Sequence, residues 1–391
     1  MQVDVVIEQR FYRCAKGYYW SENMFPYAFW LRYLDIFAQV NIVARVSLIQ
    51  TANQTWQRVD GPNVEFVALP SYIGPWGFAL SLPKLHAKLR ARKGVNRAVI
   101  YRVPGILAAL YQAIAMPVSK PYGAEVVGDP ADVFAKDANS SLLRPVFKAL
   151  FTTLLKKQCR EAVSIAYVTE HKLQHRYPPA ANAIQTHYSS IQLLDADFNE
   201  PHARQLGDVL NIVCIGNLAQ PYKGCDFMLC GIAELVKLGV QVHLRWIGGG
   251  ALLEKMQHLA VALSIDKHVT FVGNLATREA IRGELDRADL FVLSSRQEGL
   301  PRVLIEAMAR ALVCIATDVG GVDELLPEDF ILQRDNLVQL VERITTVNAM
   351  TLVQRQAQSK RNFLVAQRYH DKKLQVRRQL MYRGVLAAQP L

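Results

Sequence analysis

The residues best suited to do chemistry lie between Ala288 and Leu326, in ADLFVLSSRQEGLPRVLIEAMARALVCIATDVGGVDELL. An apolar strand, DLFVLSS, feeds a short polar loop that holds Glu298 and Gly299. A helix is expected to begin at Leu300-Pro301, because proline suits a first helical turn whose N–H would have no partner in any case. The free amides of that turn, with the positive end of the helix dipole, form an anion site. Gly299 lets a phosphate come close to the chain. Glu306 stands about five residues into the helix, roughly 8 Å along it. Glu298 and Glu306 would then flank a bound diphosphate from opposite ends, and a carboxylate at Glu306 can take bidentate hydrogen bonds from a ribose. On spacing alone, a solvated loop glutamate and a surface helix glutamate account for the pair as well. The surrounding segments have to decide.

Those segments alternate strand and helix. Strand candidates are Val3–Glu8, Asn41–Val46, Val64–Leu69, Ala98–Arg102, Ala124–Gly128 and Ser164–Thr169, followed by Leu210–Gly216, Val242–Ile247, Val269–Val272, Leu290–Ser294 and Val313–Thr317. Helical stretches such as 225–238, 251–263 and 277–287 lie between most of them. Alternation of this kind argues for parallel sheets covered on both faces. Two sets, joined near His187–His202, predict an α/β chain of two facing Rossmann-like doubly wound domains. Ligands of that class sit in a cleft beyond the carboxyl ends of the strands. From Asn336 the chain reads as helix alone, with a break near Asn348–Thr351 and a basic helix running to about Leu386. A length of 391 residues agrees with two domains, since one core stops growing near about 250–300 residues.

The second half resembles the retaining glycosyltransferases of the GT-B fold, specifically the family 4 (group 1) type. IGNLAQPYKG (215–224) is similar to the family's G-x-L…KG segment, RWIGGG (245–250) to its strand ending in a glycine turn, and VTFVGNL (269–275) to its F-x-G strand. EGLPRVLIE (298–306) resembles the E-x7-E motif, and IATDVGGVDELL (315–326) the closing glycine pair. The match covers about residues 208–330, and its strength is the register of all five. It implies domains at 1–200 (acceptor) and 201–368 (nucleotide-sugar), with 369–391 as a helix crossing back to the first.

By the same resemblance, Lys223 matches the lysine on the donor diphosphate, Glu306 the ribose-binding glutamate and Glu298 the one near the donor sugar. Gly299 and Leu300 match positions whose amides meet phosphate, while Gly248, Gly249, Val272 and Asn274 match the region where the base packs. The family commonly has an arginine where this chain has Asn217. Arg302 would compensate from the helix start. The implied reaction is transfer of a sugar from a nucleoside-diphosphate donor to a saccharide or lipid-linked saccharide, with anomeric configuration retained and no metal. Lys223 and the helix start would carry the leaving group. The one D-x-D, Asp195-Ala196-Asp197, lies in the linker and is not expected to hold a metal.

The first half resembles the family far less. Its first strand should lead to a glycine-bearing loop, and here that stretch is FYRCAKGYYWSENMFPYAFW with the single glycine Gly17. Tyr18, Tyr19 and Trp20 offer faces for stacking on an acceptor sugar, or packing under a helix. No histidine can be matched to the one that touches the transferred sugar in many relatives. Asp129, in VVGDP, is offered as a catalytic candidate instead, although a Gly-Asp-Pro turn has structural cause of its own.

Composition sets the outer limits. The chain is 51% hydrophobic and 20% charged, with net charge +11. The longest uncharged apolar run, Ile106 to Ser119, is shorter than the ~20 residues of a spanning helix. The opening MQVDVVIEQR has no leader pattern, and six scattered cysteines without a C-x-x-C point to a reducing, cytoplasmic setting. Charge is uneven: +7 over residues 1–200, −4 over 201–333 and +8 beyond. The basic segments carry no RNP-like, zinc-finger or helix-turn-helix signature, so nucleic acid is not an expected partner. An anionic membrane surface fits better, with peripheral attachment at the inner face of the cell membrane. In Leu82–Lys93, Leu82, Leu85 and Leu89 share one face and Lys84, Lys88 and Arg92 another. Ser141–Arg160 mixes apolar residues with Arg144, Lys148, Lys156 and Lys157. Such helices lie on anionic lipid or cover a sheet with a solvated basic side. The expected setting is bacterial surface polysaccharide synthesis. Two rivals remain: a GT-B nucleotide-sugar epimerase and a non-catalytic nucleotide-sugar-binding subunit.

Overall fold

The computed structural model describes residues 1–22, 24–53, 56–117, 120–133, 144–201 and 207–390, so His202 and Ser141 lie outside the described residues. The chain divides into two compact units. The first comprises residues 1–131, the segment from Arg144 to Tyr188, and the last helix from Gln375. Its sheet contains β1 (Gln2–Cys14), β2 (Tyr19–Ser21), β3 (Gln39–Ile49), β4 (Gln57–Arg58), β5 (Val64–Pro70), β6 (Ala98–Val103), β7 (Gly123–Val126), β8 (Ser164–Tyr167) and β9 (Ile184–His187). The parallel order is β5-β3-β1-β6-β7-β8-β9, with β2 and β4 added antiparallel at the far end of β1. Every residue of β6, β7 and β8 is buried, as strands covered on both faces must be.

β1 runs longer than its apolar start predicts. After a register shift between Val6 and Arg10 it pairs with β3 again, from Arg10↔Arg45 to Cys14↔Ile49. The stretch expected as an open loop is therefore a hairpin, with Tyr12 opposite Trp20 and Arg13 opposite Tyr19. Its aromatic residues supply the β propensity.

The second unit contains β10 (Leu210–Ile215), β11 (Val242–Ile247), β12 (Val269–Gly273), β13 (Leu290–Leu293), β14 (Val313–Thr317) and β15 (Ile331–Leu332), all parallel in the order β12-β11-β10-β13-β14-β15. The direction of winding reverses between β10 and β13. The unit begins at Ser189, earlier than the boundary expected at 200, because the connecting segment is tied to it. Asp197 pairs with Arg282 at 2.7 Å and the Asn199 amide donates to the Ala309 carbonyl.

Three helices close the chain, Leu337–Asn348, Leu352–Ala366 and Asp371–Ala387. The last packs into the first unit. Ser164 Oγ donates to the Met381 carbonyl at 2.9 Å, and the Tyr382 hydroxyl donates to buried Glu125. Tyr33, Tyr188 and Arg102 complete the shell around that carboxylate.

In the helix Gly74–Arg90, Leu85 and Leu89 are fully buried while Leu82, expected on the same face, is 38% exposed, so the predicted leucine face meets the core only in its later turns. A different apolar row is exposed: Ile73, Trp76 and Leu80, at 75%, 85% and 82%. Val146 and Leu150 are exposed on the helix Arg144–Glu161. Among the described residues, no helix is long and apolar enough to cross a membrane.

Candidate active site

Every donor-side residue singled out in the sequence lies at the carboxyl edge of the second unit's sheet or on the helix that follows. The loops after β10, β11 and β12 are stitched together. The Gly216 amide donates to Ile247 O, Leu218 to Gly249 O, Gly248 to Gly273 O, and Gly249 to Asn274 Oδ1 at 2.8 Å. Asn217, Gly248, Gly249 and Asn274 thus share one floor, with Val272 in the strand beside it. Asn217 is exposed, and its Oδ1 accepts the Ala219 amide at 2.5 Å, an Asx turn.

Lys223 and Glu298 meet at the reversal between β10 and β13, where ligands of open α/β sheets bind. Lys223 ends a 3-10 turn, Pro221–Lys223, and does not start a helix. Gly224 follows in the left-handed region at φ 68°, where a Cβ would stand 2.0 Å from the Ser294 carbonyl oxygen. That contact presses the lysine turn against the end of β13, and Ser294 Oγ donates to Lys223 O. Lys223 Nζ donates to Glu298 Oε1 at 2.6 Å, with both side chains mostly buried.

The helix after β13 spans Arg302–Ala309, with Pro301 as its extended N-cap rather than its first residue. Leu300 is buried and Arg302 exposed. The amides of Gly299 and Leu300 have no acceptor among the described residues, as the anion site requires. The glycine pair braces this loop: the Gly321 amide donates to Gly299 O at 2.7 Å, and a Cβ on Gly320 (φ 54°) would reach 2.1 Å from that same oxygen.

Glu306 is not the surface glutamate that spacing alone allows. It lines a small pocket of about 50 Å³ with Asp197, Arg278 and Arg282. Its carboxylate makes no hydrogen bond to the described residues. Burial raises its pKa, against the pull of Arg302 and Arg278. Such a group gains from hydroxyl donors brought by a ligand.

Arg296 is the residue that sequence reading passed over. It chelates Asp226 at 2.8 and 3.0 Å, pairs with Asp335 at 2.8 Å, and donates to Pro221 O and, through its amide, to Tyr222 O. Burial alone would raise the Asp226 carboxyl, yet the Arg296 bonds and charge hold it below the usual range. Its place in SSRQEG, two residues before Glu298, was the available signal.

The remaining candidates belong to the first unit. Asp129 is buried and its oxygens are filled: Oδ1 accepts the Tyr177 hydroxyl and the Ala131 amide, and Oδ2 pairs with Arg176. This carboxylate anchors its turn, the structural role that a Gly-Asp-Pro turn offers. Gly17 (φ 90°) turns the hairpin. Tyr19 stacks on Phe66 with centroids 4.0 Å apart, Tyr18 lies under the Arg58 guanidinium and is 42% exposed, and Trp20 is half-buried in β2. Of the aromatic trio, Tyr18 offers most free surface. In the linker, Asp195 pairs with His370 and Lys372, and Asp197 with Arg282, so the two carboxylates serve different partners.

Residues 210–349 match the family described as Glycosyl transferases group 1. The chain is 25% identical over 320 residues to Protein CapJ of Staphylococcus aureus, covering 82% of this chain and 80% of that one. It is 32% identical over 127 residues, about a third of each chain, to a GDP-mannose-dependent alpha-(1-6)-phosphatidylinositol monomannoside mannosyltransferase of Mycobacterium tuberculosis. In structure it resembles sucrose-phosphate synthase from Thermosynechococcus elongatus, with a TM-score of 0.69, 16% identity and 100% of both chains covered.

Proposed function

We propose, for a chain whose residues 210–349 form a glycosyl transferases group 1 domain on a GT-B fold, a retaining transfer of a sugar from a nucleoside diphosphate to a saccharide or lipid-linked acceptor. The observation that carries this reading is the Lys223–Glu298 pair at the winding reversal, beside the unoccupied amides of Gly299 and Leu300. Lys223, those amides and Arg302 take the diphosphate. Glu306 takes the ribose, and the Gly248–Asn274 floor takes the base. Glu298 releases Lys223 to the phosphates and turns to the donor sugar.

In the reaction, the bond from the anomeric carbon to the diphosphate breaks and the acceptor oxygen bonds to the same face. The acceptor proton passes to the departing phosphate. Lys223 and the helix start stabilise the charge that develops there, and this assembly works without a metal. Acceptors that are lipid-linked fit the exposed row Ile73, Trp76 and Leu80, flanked by Lys84 and Lys88, which suits docking on an anionic membrane surface from the cytoplasmic side. The name of the mycobacterial relative, which acts on a phosphatidylinositol mannoside, supports that class. Polysaccharide assembly at a bacterial surface is the corresponding role.

Asn217, exposed and with its Oδ1 taken by its own turn, brings no positive charge to a diphosphate, which favours one second reading, a non-catalytic nucleotide-sugar binder. A screen of UDP-, GDP-, dTDP- and ADP-sugars for thermal stabilisation tests both. At about a hundred times its dissociation constant a true donor adds about 2.7 kcal/mol. One hit, lost in Lys223→Ala and Glu306→Ala, supports donor binding at this site. Proton NMR of the product anomer, in EDTA, then tests turnover, retention and independence from metal. Binding without turnover on any acceptor returns the scaffold reading.

A further inference from the structure

A concavity of about 550 Å³ lies at the amino ends of β6 and β7 in the first unit, where no predicted donor or acceptor residue stands. Three cations line it: Arg92, Arg97 and Lys120. One carboxylate, Asp4, answers them. It is fully buried and receives Arg92 at 2.6 Å and Arg97 at 3.0 Å, besides the Tyr111 hydroxyl at 2.5 Å and Asn41 at 3.0 Å. Its hydrogen-bonding capacity is therefore used up, and among the described residues no carboxylate lines the concavity itself. Arg97 is 2% exposed, and among the described residues its Nη1 has no partner. A buried guanidinium nitrogen with an unmade bond is costly unless something supplies the acceptor. Among the described residues Lys120 Nζ donates to the Val95 carbonyl alone, at 3.3 Å. Burial, and then the Arg97 charge, depress its ammonium, and an anion would offset both.

Met116, Pro121, Ala388 and Pro390 add apolar lining to the same concavity. A cavity lined by both cations and hydrocarbon suits an anion that carries an apolar body. We propose that it binds a phosphate monoester with an apolar organic group, the phosphate between Arg92, Arg97 and Lys120. The site is separate from the donor diphosphate site of the second unit. It does not depend on the reading of that site.

Calorimetric titration of the full chain with octyl phosphate, inorganic phosphate and octyl glucoside tests it. Octyl phosphate is expected to bind at least about tenfold more tightly than either half-ligand. Lys120→Glu and Lys120→Gln, whose side chain holds only one carbonyl, should weaken it about tenfold or more with unchanged thermal midpoints. Lys223→Ala should leave it unaltered. Vesicles containing phosphatidic acid separate the sources. Lys120-dependent co-sedimentation identifies a lipid headgroup, and Lys120-dependent octyl phosphate binding without it identifies a soluble ester. Either supports the site. Octyl phosphate binding no better than octyl glucoside or inorganic phosphate, undiminished in both Lys120 variants, or lost in Lys223→Ala, overturns it.

Discussion

Lys223 and Glu298 are 75 residues apart in the chain and 2.6 Å apart in space, joined across the point where the second sheet reverses its winding. If Lys223 takes the donor diphosphate as proposed, the carboxylate holds that cation in advance, and donor binding exchanges one anion for another. Glu298→Gln removes the competitor. It should tighten the nucleoside diphosphate several-fold while lowering turnover by about a hundredfold, because the group facing the sugar is lost. Lys223→Ala should weaken the same ligand. Calorimetry and initial rates on both variants check this, and tighter binding must be absent from Lys223→Ala.

Arg296 should behave as a positioning residue. It fastens the Pro221–Lys223 turn through two carbonyls and holds Asp226 and Asp335. Arg296→Ala is expected to cost about 1 kcal/mol of stability or less, because both carboxylate partners are partly in water. Its further mark is a donor KM that rises more than kcat falls. Arg296→Lys should recover part of the stability but little of the KM, since a lysine cannot chelate. Proportional losses in KM and stability across both variants would reduce Arg296 to a fold residue.

The donor half was legible in the sequence because its chemistry rides on glycines and strand ends whose spacing survives translation into geometry. Gly224 and Gly320 are needed where a Cβ would meet a carbonyl oxygen at 2.0 and 2.1 Å, and short apolar runs mark the strands between. What stayed hidden was pairing. Nothing in Glu306's neighbours in the chain says that Arg278 and Asp197 face it, and nothing near Asp129 announces Tyr177 and Arg176. The hairpin at Tyr12–Trp20 was missed for the same reason: β1 continues past Glu8 only because β3 offers it a second register. The leucine face of the helix Gly74–Arg90 was real in its later turns, but a face shows amphipathicity without saying which side is wet.

The exposed row on that helix makes a prediction for membranes. Trp76→Ser with Leu80→Ser removes two large apolar groups already in water, at 85% and 82% exposure, so folding should be unaffected. Binding to vesicles rich in phosphatidylglycerol should fall by about tenfold or more, as two buried apolar side chains contribute about 1.5–3 kcal/mol each at full insertion. Donor binding should not change. Sedimentation with equal vesicle affinity for both proteins would sink the docking role.

Glu306 supplies a pH test whose sign is fixed by its burial. Its folded pKa is raised above the ordinary glutamate value of about 4.3, so the neutral form suits the empty site. The associated stability is therefore present in full below that value and is lost as pH rises through the folded pKa. Glu306→Gln, a neutral isostere, should accordingly lie closest to the native chain at an acid pH and exceed it in thermal midpoint at a higher pH, above the folded pKa of Glu306. Saturating donor should reverse the order at the higher pH, because a ribose gives the carboxylate the hydroxyl donors that the empty pocket lacks. Thermal midpoints of the two proteins at both pH values, with and without donor, decide it. A Glu306→Gln advantage that persists under donor would remove Glu306 from the ribose site.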